Sequence, residues 1–194
     1  MVQQTVDISQ KYSLDEYIRI DETGTERHEY YYGKLIAMPG ETLRHNKICL
    51  KLYVILSSLL LKHGYEIFVE NVKVNIEGED VYVYPDIVVI KEQPKANLPH
   101  KDYILYSPLL IIEVLSDSTR KYDLTDKFIQ YQKISSLQYY LAVEPQKQLV
   151  IFYEKDDANN WLAKTYTALD ETILLPKLDA SFTLGDIYEP TPTL

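Results

Sequence analysis

Val81-Tyr-Val-Tyr-Pro-Asp86-Ile-Val-Val-Ile90 and Leu109-Leu-Ile-Ile-Glu113-Val-Leu115 are two strongly apolar runs, each carrying one acidic residue. β-Branched and aromatic residues favour strands. The second run has so little polarity apart from Glu113 that it reads as a central strand buried on both faces. A carboxylate in such a run costs several kcal/mol or shifts its pKa unless something compensates it. Two converging carboxylates are most readily compensated by a divalent cation. Asp86 and Glu113 are therefore candidate metal ligands.

Outward from this pair, Glu66 to Ile76 alternates with strand period and Glu77-Gly-Glu-Asp80 is a turn, so the segment is expected to pair antiparallel with Val81 to Ile90. Lys91 to Ser107 is punctuated by prolines and reads as a loop. Asp123 to Ile134 reads as a helix with Leu124, Phe128 and Tyr131 on one stripe. Gln138 to Val143, Gln148 to Tyr153 and Trp161 to Tyr166 are expected strands. Upstream, Ser13-Leu-Asp-Glu16 is a capping-box pattern opening a helix through about Ile20. His28 to Met38 reads as a hairpin turning at Gly33, and Thr42 to His63 as the longest helix, stopped by Gly64. This order predicts an α/β (α+β) domain with a mixed central sheet flanked by helices and an N-terminal hairpin. Residues 1–194 are expected to form a single domain with a frayed tail from about 189 to 194.

Composition narrows the function classes. A single cysteine, Cys49, excludes an intramolecular disulfide and a cysteine-based zinc cluster. That fits a cytoplasmic protein. No apolar stretch approaches the roughly 20 residues of a membrane helix, so no membrane partner is expected. The net charge of −9 argues against nonspecific binding of polyanions over the whole surface, while leaving room for a local groove. The 18 tyrosines are read as strand formers, several of them at the surface with scope for a dimer contact.

Tyr84-Pro-Asp86, then Ile112-Glu-Val-Leu-Ser116, Ser118-Thr119, Asp123, Lys127 and Tyr131 together resemble a restriction-endonuclease-like family abundant in cyanobacterial genomes, within the PD-(D/E)XK nuclease superfamily. The resemblance spans nearly the whole chain, from the Tyr30 to Met38 hairpin through Arg44-His-Asn-Lys-Ile48 to Leu184-Gly-Asp-Ile-Tyr188. It implies a restriction-endonuclease-like fold and DNA as substrate. It also implies Mg²⁺, with Mn²⁺ as a possible substitute, held by Asp86, Glu113 and the main-chain carbonyl of Val114. The superfamily lysine normally stands two positions after the second acid, where this chain has Leu115. Lys127 is the replacement the resemblance suggests. Asp123, Lys127 and Tyr131 share a helix face at i, i+4 and i+8.

Each assignment has a plainer alternative at this stage. Glu113 could be neutralised by Arg120, and Lys127 could merely pair with Asp123 as an exposed couple worth ~0.3 to 0.5 kcal/mol. Asp123 could be a helix N-cap or a group supporting the site. His45 and Asn46 could face the cleft or serve capping and solvation, and Glu41 and Glu70 could extend the acidic site. Lys34 stands where relatives carry a hairpin Glu, and Asp117 where they carry Pro. Three functions follow: a metal-dependent DNA endonuclease, a catalytically silent nucleic-acid- or protein-binding module, or a hydrolase of a small phosphorylated compound. A homodimer is expected for double-strand cutting.

Overall fold

The structure is a computed structural model, and it describes residues 10–38, 40–92, 100 and 102–189. The capping box opens α1 (Leu14–Thr23): the Ser13 hydroxyl accepts the Glu16 N–H while the Glu16 carboxylate accepts the Ser13 N–H. The helix runs past Ile20 to Thr23, and the Gly24 N–H caps the Ile20 carbonyl at 2.8 Å. The hairpin is β1 (His28–Tyr31) with β2 (Lys34–Ala37), turned by Tyr32 (φ 49°) and Gly33 (φ 90°). Two consecutive positive φ angles make the tight two-residue turn whose twist matches its strands. Thr42 caps α2 (Leu43–Leu60), and after the 3₁₀ turn Leu61–His63 the left-handed Gly64 ends it.

Pro85 shapes the centre of the molecule. The run from Val81 to Ile90 is two strands rather than one: β5 (Val81–Val83) and β6 (Ile87–Ile90) lie in different sheets. Proline has no N–H to give a ladder. The partner segment breaks at the same level into β3 (Glu66–Val69) and β4 (Lys73–Asn75), through Glu70 and Asn71, both at positive φ. The expected antiparallel pairing holds on each side of the break, β3 with β6 and β4 with β5. Within the expected loop from Lys91 to Ser107, Ile104–Leu105 forms β7 and pairs parallel with β4, while residues 93–99 and 101 lie outside the described residues.

Three further strands, β9 (Tyr139–Val143), β10 (Val150–Lys155) and β11 (Trp161–Tyr166), join β8 (Leu110–Val114) to complete the main six-stranded mixed sheet, of order β11-β10-β9-β8-β6-β3. Strand β8 is buried throughout, antiparallel to β6 and parallel to β9. One face carries Ile112 and Val114 and packs against Leu52 and Leu56 of α2, with β12 (Thr172–Leu175), β13 (Ala180–Thr183) and α5 (Leu184–Tyr188). The other face carries Ile111 and Leu115 and packs against Phe128 and Tyr131 and the five-stranded sheet β2-β1-β5-β4-β7. The helix over that face begins before Asp123, as α3 (Arg120–Tyr122), a π-helical turn Asp123–Lys127 and α4 (Phe128–Tyr131). The chain thus has the mixed sheet, flanking helices and N-terminal hairpin that its sequence predicts. The tyrosines divide between interior and surface: Tyr17, Tyr131, Tyr139 and Tyr140 are fully buried, while Tyr32, Tyr53 and Tyr103 are exposed. Of the expected frayed tail, Glu189 is held by its N–H to the Gly185 carbonyl, and residues 190–194 lie outside the described residues.

Candidate active site

The site forms where β5 leaves one sheet and β6 enters the next. With Pro85 interrupting the ladder, the Tyr84 N–H and carbonyl are free for side chains. The N–H donates to Glu29 Oε1 at 3.1 Å, and the carbonyl accepts Lys127 Nζ at 3.0 Å. Antiparallel pairing of Ile87 with Ile112 brings Asp86, one residue earlier, alongside Glu113, one residue later. The Val114 N–H donates to Asp86 Oδ2 at 2.6 Å. Asp86, Glu113 and Val114 line one pocket of about 100 Å³ together with Glu29, Glu41, His45, Asp123 and Lys127. A cleft of about 480 Å³ adjoins it, sharing Glu41 and Asp86 and adding Arg27, Glu70 and Asn71.

Lys127 is buried, with Nζ 2.9 Å from Glu113 Oε1, 3.0 Å from Glu29 Oε1 and 3.9 Å from Asp123 Oδ1. It is therefore no exposed i,i+4 couple. Its ammonium projects from the π-helical turn, a kind of helix distortion frequent at functional sites. Burial alone would lower the Lys127 pKa, but Glu113, Glu29 and Asp123 outweigh it and hold the ammonium well above its ordinary range. Glu113, 3 % exposed, also accepts the Tyr131 hydroxyl at 2.6 Å. Burial pushes its carboxyl well up, against the pull of the Lys127 charge. Asp123 moves the same way for the same reason, burial against Lys127. It lies inside the helical segment and not at an N-cap.

On the α2 side, His45 Nε2 stands 3.1 Å from Asp86 Oδ2 and 3.5 Å from Glu41 Oε2. Burial would lower the imidazole pKa, but the Asp86 hydrogen bond and charge, with Glu41, leave it raised. The Glu41 carboxyl is raised by burial, with His45 opposing. Asn46 turns away from the pocket toward Glu70, at 3.5 Å, and Glu70 enters the larger cleft while its N–H holds the Asp86 carbonyl at 2.7 Å.

Arg120 does not neutralise Glu113. Its guanidinium pairs with the buried Glu144 at the end of β9, with one N–H to Oε2 at 2.8 Å and a second contact to Oε1. A pocket residue absent from the sequence candidates is Glu29, buried in β1, which accepts Lys127, the Tyr84 N–H and the Tyr122 hydroxyl. The signal was present in His28-Glu-Tyr-Tyr-Tyr, where a carboxylate again sits among strand formers.

The pocket wall carries Glu29, Glu41, Asp86, Glu113 and Asp123 against Lys127 and His45. Carboxylates outnumber cations in a partly desolvated space, and the donors are hard oxygens with one imidazole nitrogen. That set fits a divalent metal ion. His45, Cys49 and Asp86 also offer ligand atoms lying within 4.8 Å of one another. The Cys49 thiol pKa is pushed up by burial, and its sulfur stands 3.6 Å from His45 Nδ1.

Among known proteins, uncharacterized protein sll1609 of Synechocystis sp. is 34% identical over 147 residues, covering 76% of this chain and 82% of that protein. Uncharacterized protein slr1290 of the same organism is 33% identical over 178 residues, covering 92% of each. In fold, the chain is similar to the crystal structure of a putative nuclease belonging to DUF820 from Anabaena variabilis, with TM-score 0.72, 19% identity, and coverage of 91% of this chain and 97% of that one. Residues 14–185 match the Uma2 family, described as "Putative restriction endonuclease", and the chain belongs to that family.

Proposed function

We propose that this chain is a divalent-metal-dependent DNA endonuclease. Asp86 and Glu113, with the main-chain carbonyl of Val114, would hold Mg²⁺ or Mn²⁺, and Lys127 stands in for the lysine missing at Leu115. One observation carries the reading: the Lys127 ammonium lies 2.9 Å from Glu113 Oε1 in the pocket that Asp86 lines. Leu115 itself is packed among Ile111, Phe128 and Tyr131 and offers nothing to a water.

A bound divalent ion supplies Lewis-acid polarisation of a phosphodiester and a lowered pKa for water. The chain's own groups do the rest. The Val114 N–H and His45 fix Asp86, and Tyr131 fixes Glu113. Glu29 and the Tyr84 carbonyl hold Lys127, whose charge can orient the attacking water and offset charge growing on phosphoryl oxygens. With a net charge of −9, attraction for a polyanion has to be local, from the metal and from Arg27 at the cleft wall. A cytoplasmic location and a twofold-related pair of sites complete the proposal. Among the described residues no helix is long and apolar enough to cross a membrane.

Nicking of supercoiled plasmid with Mg²⁺ or Mn²⁺ tests the reading. Asp86→Ala and Glu113→Ala are expected to abolish cutting while circular dichroism shows a folded chain. If both variants cut as well as the parent, the assignment is wrong. A folded parent that neither cuts nor binds metal at millimolar concentration points to a silent binding module.

A further inference from the structure

The pocket holds a nitrogen donor that the carboxylate reading of the metal site uses only to fix Asp86. We infer that His45 Nε2 is itself a metal ligand beside Asp86, and that it tilts the site toward nitrogen-accepting first-row ions, Mn²⁺ ahead of Mg²⁺. The inference rests on the metal-dependent reading proposed above and specifies the donor set and ion preference of the same site.

Position argues for it first. His45 is buried near the start of α2, with Nε2 directed at two carboxylate oxygens, 3.1 Å from Asp86 Oδ2 and 3.5 Å from Glu41 Oε2. Donors on adjacent corners of an octahedron with bonds near 2.1 Å stand about 3 Å apart. The His45–Asp86 separation therefore suits a shared proton and a shared cation alike. A cation can replace the proton with a turn of the imidazole that brings the Nε2 lone pair off the Asp86 oxygen and onto the ion.

The far side of the ring supports the same role. His45 Nδ1 stands 3.6 Å from the sulfur of Cys49, one helical turn on and fully buried. A metal-bound histidine relies on a partner at its second nitrogen to fix ring and tautomer. A thiol can serve both protonation patterns. It donates S–H to Nδ1 when Nε2 carries the proton toward Asp86, and accepts from Nδ1–H when Nε2 turns its lone pair to a metal. Ion preference follows from the donor type: Mg²⁺ takes oxygen ligands and sheds water reluctantly, whereas imidazole suits transition ions.

The test is binding, not cutting. Calorimetric titration of the full chain with Mn²⁺ and with Mg²⁺ is expected to show His45→Ala losing about 10- to 100-fold in Mn²⁺ affinity and under about 3-fold in Mg²⁺ affinity. Asp86→Asn is expected to lose both. Pulsed electron paramagnetic resonance of Mn²⁺ on the parent protein should show a directly bonded nitrogen, absent in His45→Ala. The parent spectrum decides the matter even if that variant fails to fold. Asp86-dependent Mn²⁺ binding with no nitrogen coupling, or equal losses for both ions in His45→Ala, overturns this inference and leaves the metal-dependent reading standing. Failure of the parent to bind either ion overturns both.

Discussion

Two buried lysines, Lys73 and Lys127, meet carboxylates in the same half of the molecule, yet their surroundings differ in charge balance. Lys73 pairs with Asp21 at 2.8 Å, and its ammonium lies over the rings of Tyr17 and Tyr84, 5.6 and 5.1 Å from their centroids. Asp21 completes its shell with the His28 N–H at 3.0 Å and the Tyr84 hydroxyl. Lys127 has Glu29, Glu113 and Asp123 around it, with Asp86 and Glu41 on the same pocket wall. Tyr84 touches both clusters, its hydroxyl in the first and its carbonyl in the second. The difference teaches what separates a structural ion pair from a candidate metal site. One cation against one anion needs nothing more, while a surplus of carboxylates facing a pocket calls for a further cation.

The strongest way to break the comparison is to remove each ammonium. Lys127→Met is expected to lower plasmid nicking about 10²- to 10⁴-fold. Lys73→Met should keep nicking within about 10-fold of the parent, but lose ~3 to 5 kcal/mol in urea unfolding, because Asp21 is left buried without its cation. If the two variants cut equally poorly at a temperature where both are folded, the distinction fails. The anions give the converse. Asp21→Asn should cost ~3 kcal/mol in metal-free protein, while Glu29→Gln, which trims the surplus and keeps an acceptor for the Tyr84 N–H, should cost under about 1.5 kcal/mol.

Metal itself sharpens the contrast at a smaller scale. At a hundred times its dissociation constant, Mn²⁺ should add about 2.7 kcal/mol to unfolding stability. That gain should appear in the parent and in Lys73→Met and vanish in Glu113→Gln. A gain of equal size in all three would place the ion elsewhere.

How far this was legible from sequence depended on whether a signal was local. Asp86 and Glu113 stood out because a carboxylate in an apolar run is costly wherever the run folds, and Lys127 because the family resemblance pointed to it and helical spacing then aligned it with Asp123 and Tyr131. Glu29 carried a weaker form of the same signal. Its neighbours Tyr30 to Tyr32 lie in a hairpin, where alternation alone leaves the buried face open. The split at Pro85 had a local mark, since proline and aspartate are both poor strand formers, but the sheet each half joins depends on distant partners. Arg120 was matched to Glu113 on charge alone. Glu144, beyond β9, lies closer in space although farther along the chain.

The smallest effect is one of pH, and it reads the surplus directly. Glu113, Glu41 and Asp123 have carboxyl pKa values raised by burial from ordinary values of 4.5, 4.5 and 3.8, and His45 is raised from 6.5 by Asp86 and Glu41 against its burial. A group with a raised folded pKa contributes stability that is fully present below its unfolded pKa and is lost as pH rises through the folded value. All four therefore act in one direction. Lys127, raised above 10.5, contributes a constant amount across this window. Metal-free protein should melt at a higher temperature near about pH 5.5 than near about pH 8, since every tenfold gain in proton affinity on folding is worth ~1.4 kcal/mol. Saturating Mn²⁺ should flatten or reverse that slope, because the cation competes with the same protons. Glu113→Gln should flatten it without metal. A metal-free melting temperature that instead climbs steadily from about pH 5.5 to about pH 8 would mean that the pocket holds no excess of negative charge, and the contrast between the two lysines would lose its basis.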